Sequence, residues 1–409
     1  MPNTPKIVNR PLIVCAENFC YTGQVAGELF KTRIEGIAAG GDGIARIGGK
    51  SVFIGDCIPG ETVVCRITEE HSAWSKAEIL EITESSNDRV LPACRFYGKC
   101  GGCNFQHINY EAQLALKISI LKEAFIRIGG FIPPEPLVIS SEPWEYRNRM
   151  QLHRIEQNYG LKTRKGSEII PIDNCPIADP GIITFLQEVN KISPHQPQKD
   201  RFTVYARNGL FLSEIGINRG KIHVLDRDII LDVQVFFQSN GAMLEKMIVD
   251  LKEIASGINA ENRNLPMADL YCGVGTFAAF VGDMFPRADL VEENKTALAL
   301  ARENLASSVS AEFFAQRIEN WVIKAANRYG FIIADPPRKG LDPAAADWLA
   351  VKGPPLFAYV SCDPATLARD SKILLKGGYE LKELRFYDFY PQTAHIESMA
   401  IFQKFCHIL

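Results

Sequence analysis

The sequence lacks the marks of several protein classes. It contains no apolar run near the roughly 20 residues that a membrane-spanning helix needs, and it contains no repeat and no low-complexity segment. Its first ten residues, MPNTPKIVNR, are polar and do not have the charged and then apolar layout of a secretion signal. The net charge of −3 excludes a uniformly basic nucleic-acid binder. We therefore expect a cytoplasmic, globular protein that does not enter a membrane.

Charge and cysteine are both unevenly placed along the chain. Between Trp144 and Ile170, six Lys or Arg residues face three Glu. Such a surface can hold phosphates, although scattered solvated charge explains the pattern equally well. The eleven cysteines are an odd number, and a reducing compartment argues against a disulfide framework. Metal ligation or catalysis is the better explanation for cysteines that cluster.

The apolar content of 46% over 409 residues is typical of a soluble protein with two or three domains. We treat residues 1–26 as an N-terminal extension. Residues 27–87 alternate short β-type runs with turns at Gly40-Gly41, Gly48-Gly49 and Pro59-Gly60. This pattern predicts four or five strands in a small barrel of the oligonucleotide-binding type.

Two further regions complete the chain. Residues 88–229 open with a cysteine cluster, continue with a helix over 110–128 and end in mixed strands, which predicts an α+β domain. Residues 230–409 alternate short apolar strands with helices. That alternation predicts an α/β domain with a doubly wound, Rossmann-like sheet.

A glycine-rich turn marks the first candidate site. In DLYCGVGTF, residues 269–277, Gly273 and Gly275 stand between a strand and a helix, where a ligand can approach the backbone closely. The next strand ends in Glu292, and an acid there can bind ribose hydroxyls. A plain turn explains the glycines as well. NAD and S-adenosylmethionine both remain open as ligands.

The segment ADPPRKG, residues 334–340, follows the fourth strand of this domain at its ligand-facing edge. Its two prolines make a stiff shelf, and Asp335 is placed to hydrogen-bond the edge of a base. An aromatic residue after the prolines would favour methylation of an amino group on adenine. Arg338 stands there instead, which disfavours that chemistry.

A cysteine and a carboxylate are candidates for catalysis. Cys362 ends the fifth strand and precedes Pro364, which begins a helix, so we expect a lowered pKa and a nucleophilic thiolate. Glu397 could serve as general base if burial raises its pKa. A buried structural cysteine and a surface carboxylate are the alternatives. Together, the two groups suit covalent methylation of uracil: the thiolate attacks C6, C5 takes the methyl group, and the base removes the C5 proton.

The cysteine cluster has its own chemistry. Cys94, Cys100 and Cys103 have the spacing C-x5-C-x2-C, and Cys175 is a plausible fourth ligand. Four thiolates hold either an iron–sulfur cluster or a structural zinc ion, and the spacing does not decide between them.

With these motifs, nearly the whole chain resembles the RNA uracil-5-methyltransferase family, in particular the branch with an N-terminal TRAM barrel and a [4Fe-4S] cluster that methylates 23S ribosomal RNA. The resemblance implies that Cys94, Cys100, Cys103 and Cys175 ligate the cluster, that Cys362 is the nucleophile and that Glu397 is the base. It also implies a class I fold that binds S-adenosylmethionine. The residues that it places at the cofactor are Gln238 on a strand (FFQSN), Tyr271, Thr276, Glu292 and Asp335.

Several alternatives remain. Thr276 stands where the family often has asparagine, and Glu293 competes with Glu292, although the strand register favours Glu292. The cofactor contact in residues 315–320 is not assigned. The same chemistry on transfer RNA is the second hypothesis, and a catalytically inactive iron–sulfur protein that binds RNA is the third. We expect a monomer whose partner is RNA, with 23S rRNA as the first candidate.

Overall fold

The computed structural model of the protein describes residues 29–156, 158–164, 166, 168–189, 199–305, 309–325 and 328–404. The N-terminal extension predicted at residues 1–26 lies outside the described residues. No helix within these ranges is both long enough and apolar enough to cross a membrane.

The first structural unit is a sheet of six strands, where the sequence predicted four or five. Its two turns at Gly48-Gly49 and Pro59-Gly60 contain glycines with positive φ, a conformation that glycine adopts without strain. The strands are β1 (Leu29–Arg33), β2 (Gly36–Ile37), β3 (Gly43–Ile47), β4 (Lys50–Ile54), β5 (Thr62–Glu70) and β6 (Trp74–Glu84), paired in the order β1-β5-β6-β4-β3-β2. The extra strand is β2, which is too short to show an alternating pattern.

The middle of the chain begins with a helix at the predicted place. Asn109 caps helix α1 (Tyr110–Ala124), and a π-helical turn (Phe125–Gly129) continues it to Gly130, whose φ is 79°. The strands that follow are β7 (Leu137–Ile139), β8 (Arg149–Ile155), β9 (Asn158–Lys162) and β10 (Ile169–Pro171), then β11 (Arg201–Arg207), β12 (Leu210–Ser213), β13 (Arg219–Val224) and β14 (Arg227–Asp232), with helix α2 (Pro180–Val189) between β10 and β11. A five-stranded sheet has the order β10-β9-β8-β11-β12, and β13 and β14 form a hairpin.

The last region is the predicted doubly wound domain. Its strands are β15 (Met267–Leu270), β16 (Ala288–Glu292), β17 (Ala311–Ala315), β18 (Phe331–Ala334), β19 (Leu356–Ser361), β20 (Tyr379–Tyr387) and β21 (Glu397–Lys404). The helices are α3 (Gly241–Ser256), α4 (Ala260–Arg263), α5 (Thr276–Val281), α6 (Lys295–Asn304), α7 (Ile318–Lys324), α8 (Pro343–Lys352) and α9 (Pro364–Lys376), with a 3-10 turn at Gly282–Met284.

The sheet of this domain has the order β17-β16-β15-β18-β19-β21-β20-β7. Strands β15 to β19 pair in parallel, and β21 is antiparallel to both β19 and β20. The strand order reverses between β15 and β18, which is where open α/β sheets bind ligands. Helices α3, α5 and α6 pack in one core, whereas α1, α7, α8 and α9 pack in the other. Helix α1 therefore joins the middle region to the last domain.

Candidate active site

The predicted nucleophile and base lie opposite each other. Strands β19 and β21 pair in a register that matches Ser361 with Ser398, so one further step places Cys362 opposite Glu397. Cys362 is half-buried and Glu397 is 3% exposed. Asp363 then caps α9, because its carboxylate accepts hydrogen bonds from the backbone N–H groups of Ala365 and Thr366. The end of β19 is thus fixed by its own sheet and by the helix that follows.

Asp335 brings a second carboxylate to this site from the end of β18. Burial raises the pKa of Asp335 to about 7. Burial also raises the pKa of Glu397 well above its usual range, and the nearby Asp335 adds to this effect while the Arg338 guanidinium opposes it. Two carboxylates that share a buried site do not readily ionise together. The pair therefore does not readily carry two negative charges.

The helix-start position of Cys362 predicted a lowered pKa, and that prediction is wrong for this site without its substrates. Burial, together with the carboxylates of Glu397 and Asp335, raises the pKa of the Cys362 thiol to about 12. Arg338 acts in the opposite direction but does not compensate. Desolvation and like charge outweigh the helix N-terminus here, because both disfavour a second anion in the same space.

The glycine turn lies on the neighbouring strand end. Tyr271 follows β15 with a φ of 61°, and Gly273 and Gly275 have φ values of 54° and 77°. A Cβ on Gly275 would come within 2.9 Å of the Ala301 Cβ, so this position requires glycine. Glu292 ends β16 and accepts a hydrogen bond from the Gly273 N–H at 3.1 Å. The turn and the acid at its side are therefore built as one unit.

Glu292 and Glu293 have different surroundings. The Glu292 carboxylate faces the glycine turn, whereas the side chain of Glu293 is 70% exposed and pairs with Arg317. Thr276 is the first residue of α5, directly after Gly275. Burial raises the pKa of the Tyr271 phenol to about 12. Tyr271, Thr276 and Glu292 therefore surround the same turn.

The family resemblance placed Gln238 on a strand, and that prediction is wrong. Gln238 lies in the connection between β14 and α3, because β14 ends at Asp232 and Asn240 caps the helix. Its side-chain Oε1 is buried and accepts no hydrogen bond within the described part of the chain. A buried acceptor in that condition is suited to a ligand that donates a hydrogen bond.

A cleft of about 450 Å³ lies in front of Cys362. All three regions of the chain line it, and among its lining residues are Gly41 and Asp42 from the first sheet, Asn104 and Arg164 from the middle region, and Cys362 and His395 from the last domain. Burial and nearby cations lower the pKa of His395 to about 4, so this imidazole is neutral at pH 7. The cleft therefore opens onto Cys362 between the first sheet, the middle region and the last domain.

Comparison with known proteins agrees with this geometry. Residues 217–405 match the family model described as tRNA (Uracil-5-)-methyltransferase, and residues 26–80 match the TRAM domain. An uncharacterized RNA methyltransferase of Treponema denticola is 32% identical over 389 residues, which cover 87% of this chain and 94% of the relative. The 23S rRNA (uracil(1939)-C(5))-methyltransferase RlmD of Shewanella sediminis is 30% identical over 423 residues, which cover 89% of this chain and 93% of the relative.

The chain belongs to the RNA uracil-5-methyltransferase family.

A solved structure shares the fold of this family member. The tRNA (uracil-54, C5)-methyltransferase of Pyrococcus abyssi, crystallised with S-adenosyl-L-homocysteine, aligns with a TM-score of 0.72 at 22% identity. The alignment covers 91% of this chain and all of that one, 100%. The predicted fold class, a Rossmann-like methyltransferase domain behind a TRAM barrel, is confirmed.

The cysteines predicted to bind metal converge in this family member. Cys94, Cys100, Cys103 and Cys175 all line one cavity of about 360 Å³. Within the described ranges, no three His, Cys, Asp or Glu side chains are placed to hold one metal ion. The four thiols therefore share one cavity, but their placement does not show the predicted metal site.

Two residues of the site were not assigned a role from the sequence. Asp269 lies in β15 with no exposure, where it accepts a hydrogen bond from the Ala278 N–H, and burial raises its pKa to about 8. Arg338 is exposed but close enough to affect the pKa of Cys362, Glu397 and His395. An acid inside an apolar strand was a visible signal for Asp269. Arg338 was noted only for its position after the two prolines, and nothing in the sequence indicated that it acts on Cys362 and Glu397.

Proposed function

We propose that the protein transfers a methyl group from S-adenosylmethionine to C5 of a uridine in 23S rRNA. The observation that carries this proposal is the placement of Cys362 opposite Glu397, with Asp335 and the glycine turn on adjoining strand ends. Family membership supports the reaction class. The RlmD relative, which is named for 23S rRNA and aligns along almost its full length, supports the substrate.

S-adenosylmethionine supplies an electrophilic methyl group when it is bound. We place it beside the glycine turn, with Tyr271, Thr276, Glu292, Asp335 and Gln238 as the residues that hold it. The negative Glu292 suits ribose hydroxyls, and the unpaired Gln238 Oε1 suits a ligand N–H or O–H group. Tyr271 adds an aromatic surface at the start of the turn.

The target uridine leaves its stack to enter the cleft. The Cys362 sulfur then bonds to C6, which makes C5 nucleophilic, and C5 is methylated. Glu397 removes the C5 proton, the C5–C6 double bond forms again, and the thiolate leaves. Arg338 favours the thiolate of Cys362 and the ionised form of Glu397, which are the two anions that this sequence requires.

Transfer RNA is the second candidate substrate, because the matching family model and the Pyrococcus relative are both named for tRNA. The experiment that separates the two is mass-spectrometric mapping of 5-methyluridine in 23S rRNA and in tRNA from a strain that lacks this gene. We expect one or more sites to disappear from 23S rRNA and to return when the gene is restored. Loss confined to tRNA would replace rRNA as the substrate, and no loss in either would reject the proposed reaction.

We further propose that Cys94, Cys100, Cys103 and Cys175 hold a [4Fe-4S] cluster. The shared cavity supports this, since it is lined by four thiols and by the positive side chains of Arg147 and Arg164. Burial raises the pKa of Cys100 and Cys175, and the charge of Arg147 opposes that effect at both thiols. Protein purified without oxygen should contain about four iron atoms per chain. Zinc in a one-to-one ratio would overturn the assignment, and the variant Cys103→Ser should lose most of the iron.

A further inference from the structure

The loop between β20 and β21, residues 388–396, forms one wall of the cleft and leads directly into Glu397. Its own backbone is not in a relaxed state. Gln392 has a φ of 66°, which a residue with a side chain seldom adopts unless its surroundings hold it there. The position of this loop therefore depends on contacts from elsewhere in the chain.

Helix α1 supplies the first set of these contacts from a distant part of the sequence. Gln113 has no exposure, and its side chain binds Gln392 twice: its Oε1 accepts from the Gln392 N–H at 2.9 Å, and its Nε2 donates to the Gln392 Oε1 at 3.0 Å. One turn later, the buried Lys117 pairs with Asp388 at 2.7 Å and donates to the carbonyl oxygen of Tyr390 at 2.9 Å. Both residues lie on one face of α1.

Asn104 supplies the second set and stands next to Cys103. Its backbone N–H donates to the Gln392 carbonyl oxygen at 3.1 Å, and its side-chain Oδ1 accepts from the Ala394 N–H at 2.9 Å. The other side-chain atom, Nδ2, donates to the Gly40 carbonyl oxygen of the first sheet at 2.9 Å. One asparagine thus joins the barrel, the cysteine segment and the loop that carries the base.

We propose that Asn104, Gln113 and Lys117 form a clamp that positions loop 388–396, and through it Glu397, for removal of the C5 proton. None of the three touches the reacting atoms, so they are positioning residues. The inference rests on the proposed function, because it assigns Glu397 the role of base. It also gives the cysteine segment a mechanical role, since Asn104 follows Cys103 directly.

The clamp predicts a specific kinetic defect. When Glu397 is displaced, Cys362 still attacks and the methyl group is still transferred, but the proton is removed slowly. The covalent RNA–protein adduct therefore accumulates during turnover. A general loss of folding or of RNA binding would lower the amount of adduct, so the adduct distinguishes positioning from a merely structural role.

The test compares Asn104→Ala with Asn104→Asp. The alanine variant loses the acceptor for the Ala394 N–H, whereas aspartate keeps an acceptor there and loses only the donor to Gly40. We expect kcat to fall about tenfold in Asn104→Ala, the size of effect that the loss of one hydrogen bond to a positioned group produces. KM for the RNA should change less than twofold, and the adduct fraction should rise. Asn104→Asp should lower kcat less than Asn104→Ala, because it keeps an acceptor for the Ala394 N–H.

A second pair uses the helix. Gln113→Met removes both contacts with Gln392 at nearly constant volume and should raise the adduct fraction in the same way. Lys122→Met is its control, because Lys122 lies on α1 but pairs with Glu135 at the surface. Normal kcat in both Asn104→Ala and Gln113→Met would overturn the clamp, and so would a change confined to KM. If Gln113→Met does not fold, the Asn104 pair decides alone.

The same assays separate the clamp from the proposed function on which it rests. Wild-type protein must form 5-methyluridine, and Glu397→Gln must trap the adduct. If either fails, the proposed mechanism fails, and the clamp fails with it. If both succeed and the clamp variants behave as the wild type, only the clamp is wrong.

Discussion

The sheet places Cys362 and Glu397 opposite each other, and burial raises the pKa of both side chains. A thiol whose pKa is raised to about 12 is a poor nucleophile until its surroundings change. The Arg338 guanidinium opposes this shift and so favours the thiolate.

The first prediction concerns this pair. Glu397→Gln should accumulate a covalent adduct between RNA and protein, because glutamine cannot accept the C5 proton. Denaturing gel electrophoresis with labelled RNA measures the adduct. Cys362→Ala should form neither adduct nor product while it still binds RNA, and Cys65→Ala, a buried cysteine of the barrel, should form product normally. Product formation by Cys362→Ala would reject the covalent mechanism.

The second prediction concerns Asp269, whose pKa is raised from 3.8 to about 8 because it is fully buried. The folded state keeps this proton at pH values where the unfolded chain has lost it. The contribution of Asp269 to stability is therefore complete below about pH 4 and falls as the pH rises toward 8. In Asp269→Asn this fall is absent, so the melting temperature should change less between pH 5 and pH 8 than in the wild type, by about a few degrees. Equal pH profiles would show that Asp269 titrates normally.

At the scale of elements, the glycine turn and the cysteine cavity differ in how far local sequence determines them. The turn is a strand, a bend and a helix in a row, and the left-handed residues Gly273 and Gly275 can be read directly from the sequence. The cavity is not a local property, because Cys94 and Cys175 are distant in sequence and line it together. The same contrast applies to Gln238, which the family resemblance placed on a strand although it lies in a connection.

The third prediction tests the turn. Gly275→Ala forces a side chain into a φ of 77° and brings its Cβ within 2.9 Å of Ala301. We expect a loss of about 1–3 kcal/mol in unfolding free energy and weaker binding of S-adenosylmethionine. Gly49→Ala is the matched control, because Gly49 has a φ of 81° but no heavy atom within 4 Å of the added Cβ. Calorimetric titration should show that the cofactor binds more weakly only to Gly275→Ala. Equal affinities of Gly275→Ala and Gly49→Ala for the cofactor would mean that the turn does not bind it.

Helix α1 shows what a sequence pattern omits. Leu114, Ile118, Leu121 and Phe125 follow helical spacing as one apolar stripe; three of them are buried and Ile118 is half-buried. Gln113 and Lys117 are buried equally well, which no periodicity indicates, because they bind partners in residues 388–392 at the other end of the chain. A polar side chain becomes a core residue only when a partner satisfies it.

At the scale of the whole molecule, the barrel is attached to the middle region by buried charge. The Glu61 carboxylate is 0% exposed and accepts from Arg89 Nε and Nη2, both at 2.7 Å. Arg89 also donates to the Asp56 carbonyl oxygen at 2.8 Å, and Asp56 pairs with Arg164. These contacts hold the barrel beside the cleft, which residues of the barrel also line.

The fourth prediction is that Arg89→Met loosens this attachment. It leaves the buried Glu61 carboxylate without its cation, at a cost of about 3 kcal/mol in unfolding free energy. Arg46→Met should cost less than about 1 kcal/mol, because its partner Glu35 is exposed. Urea denaturation and limited proteolysis at the barrel boundary measure the difference. Equal stability of the two variants would mean that the buried pair does not secure the barrel.

The sequence alone determined the features that depend on neighbouring residues. These are the glycine turns, the strand ends that carry Asp335 and Cys362, and the order of strands and helices in the last domain, since each follows from local backbone preference and apolar periodicity. Tertiary structure decided how these residues behave. The raised pKa values of Cys362 and Glu397 and the contacts of Gln113 with loop 388–396 depend on burial and on partners far away in the chain. Electrostatic and hydrogen-bond energies depend on distance in space, and a sequence does not contain that distance.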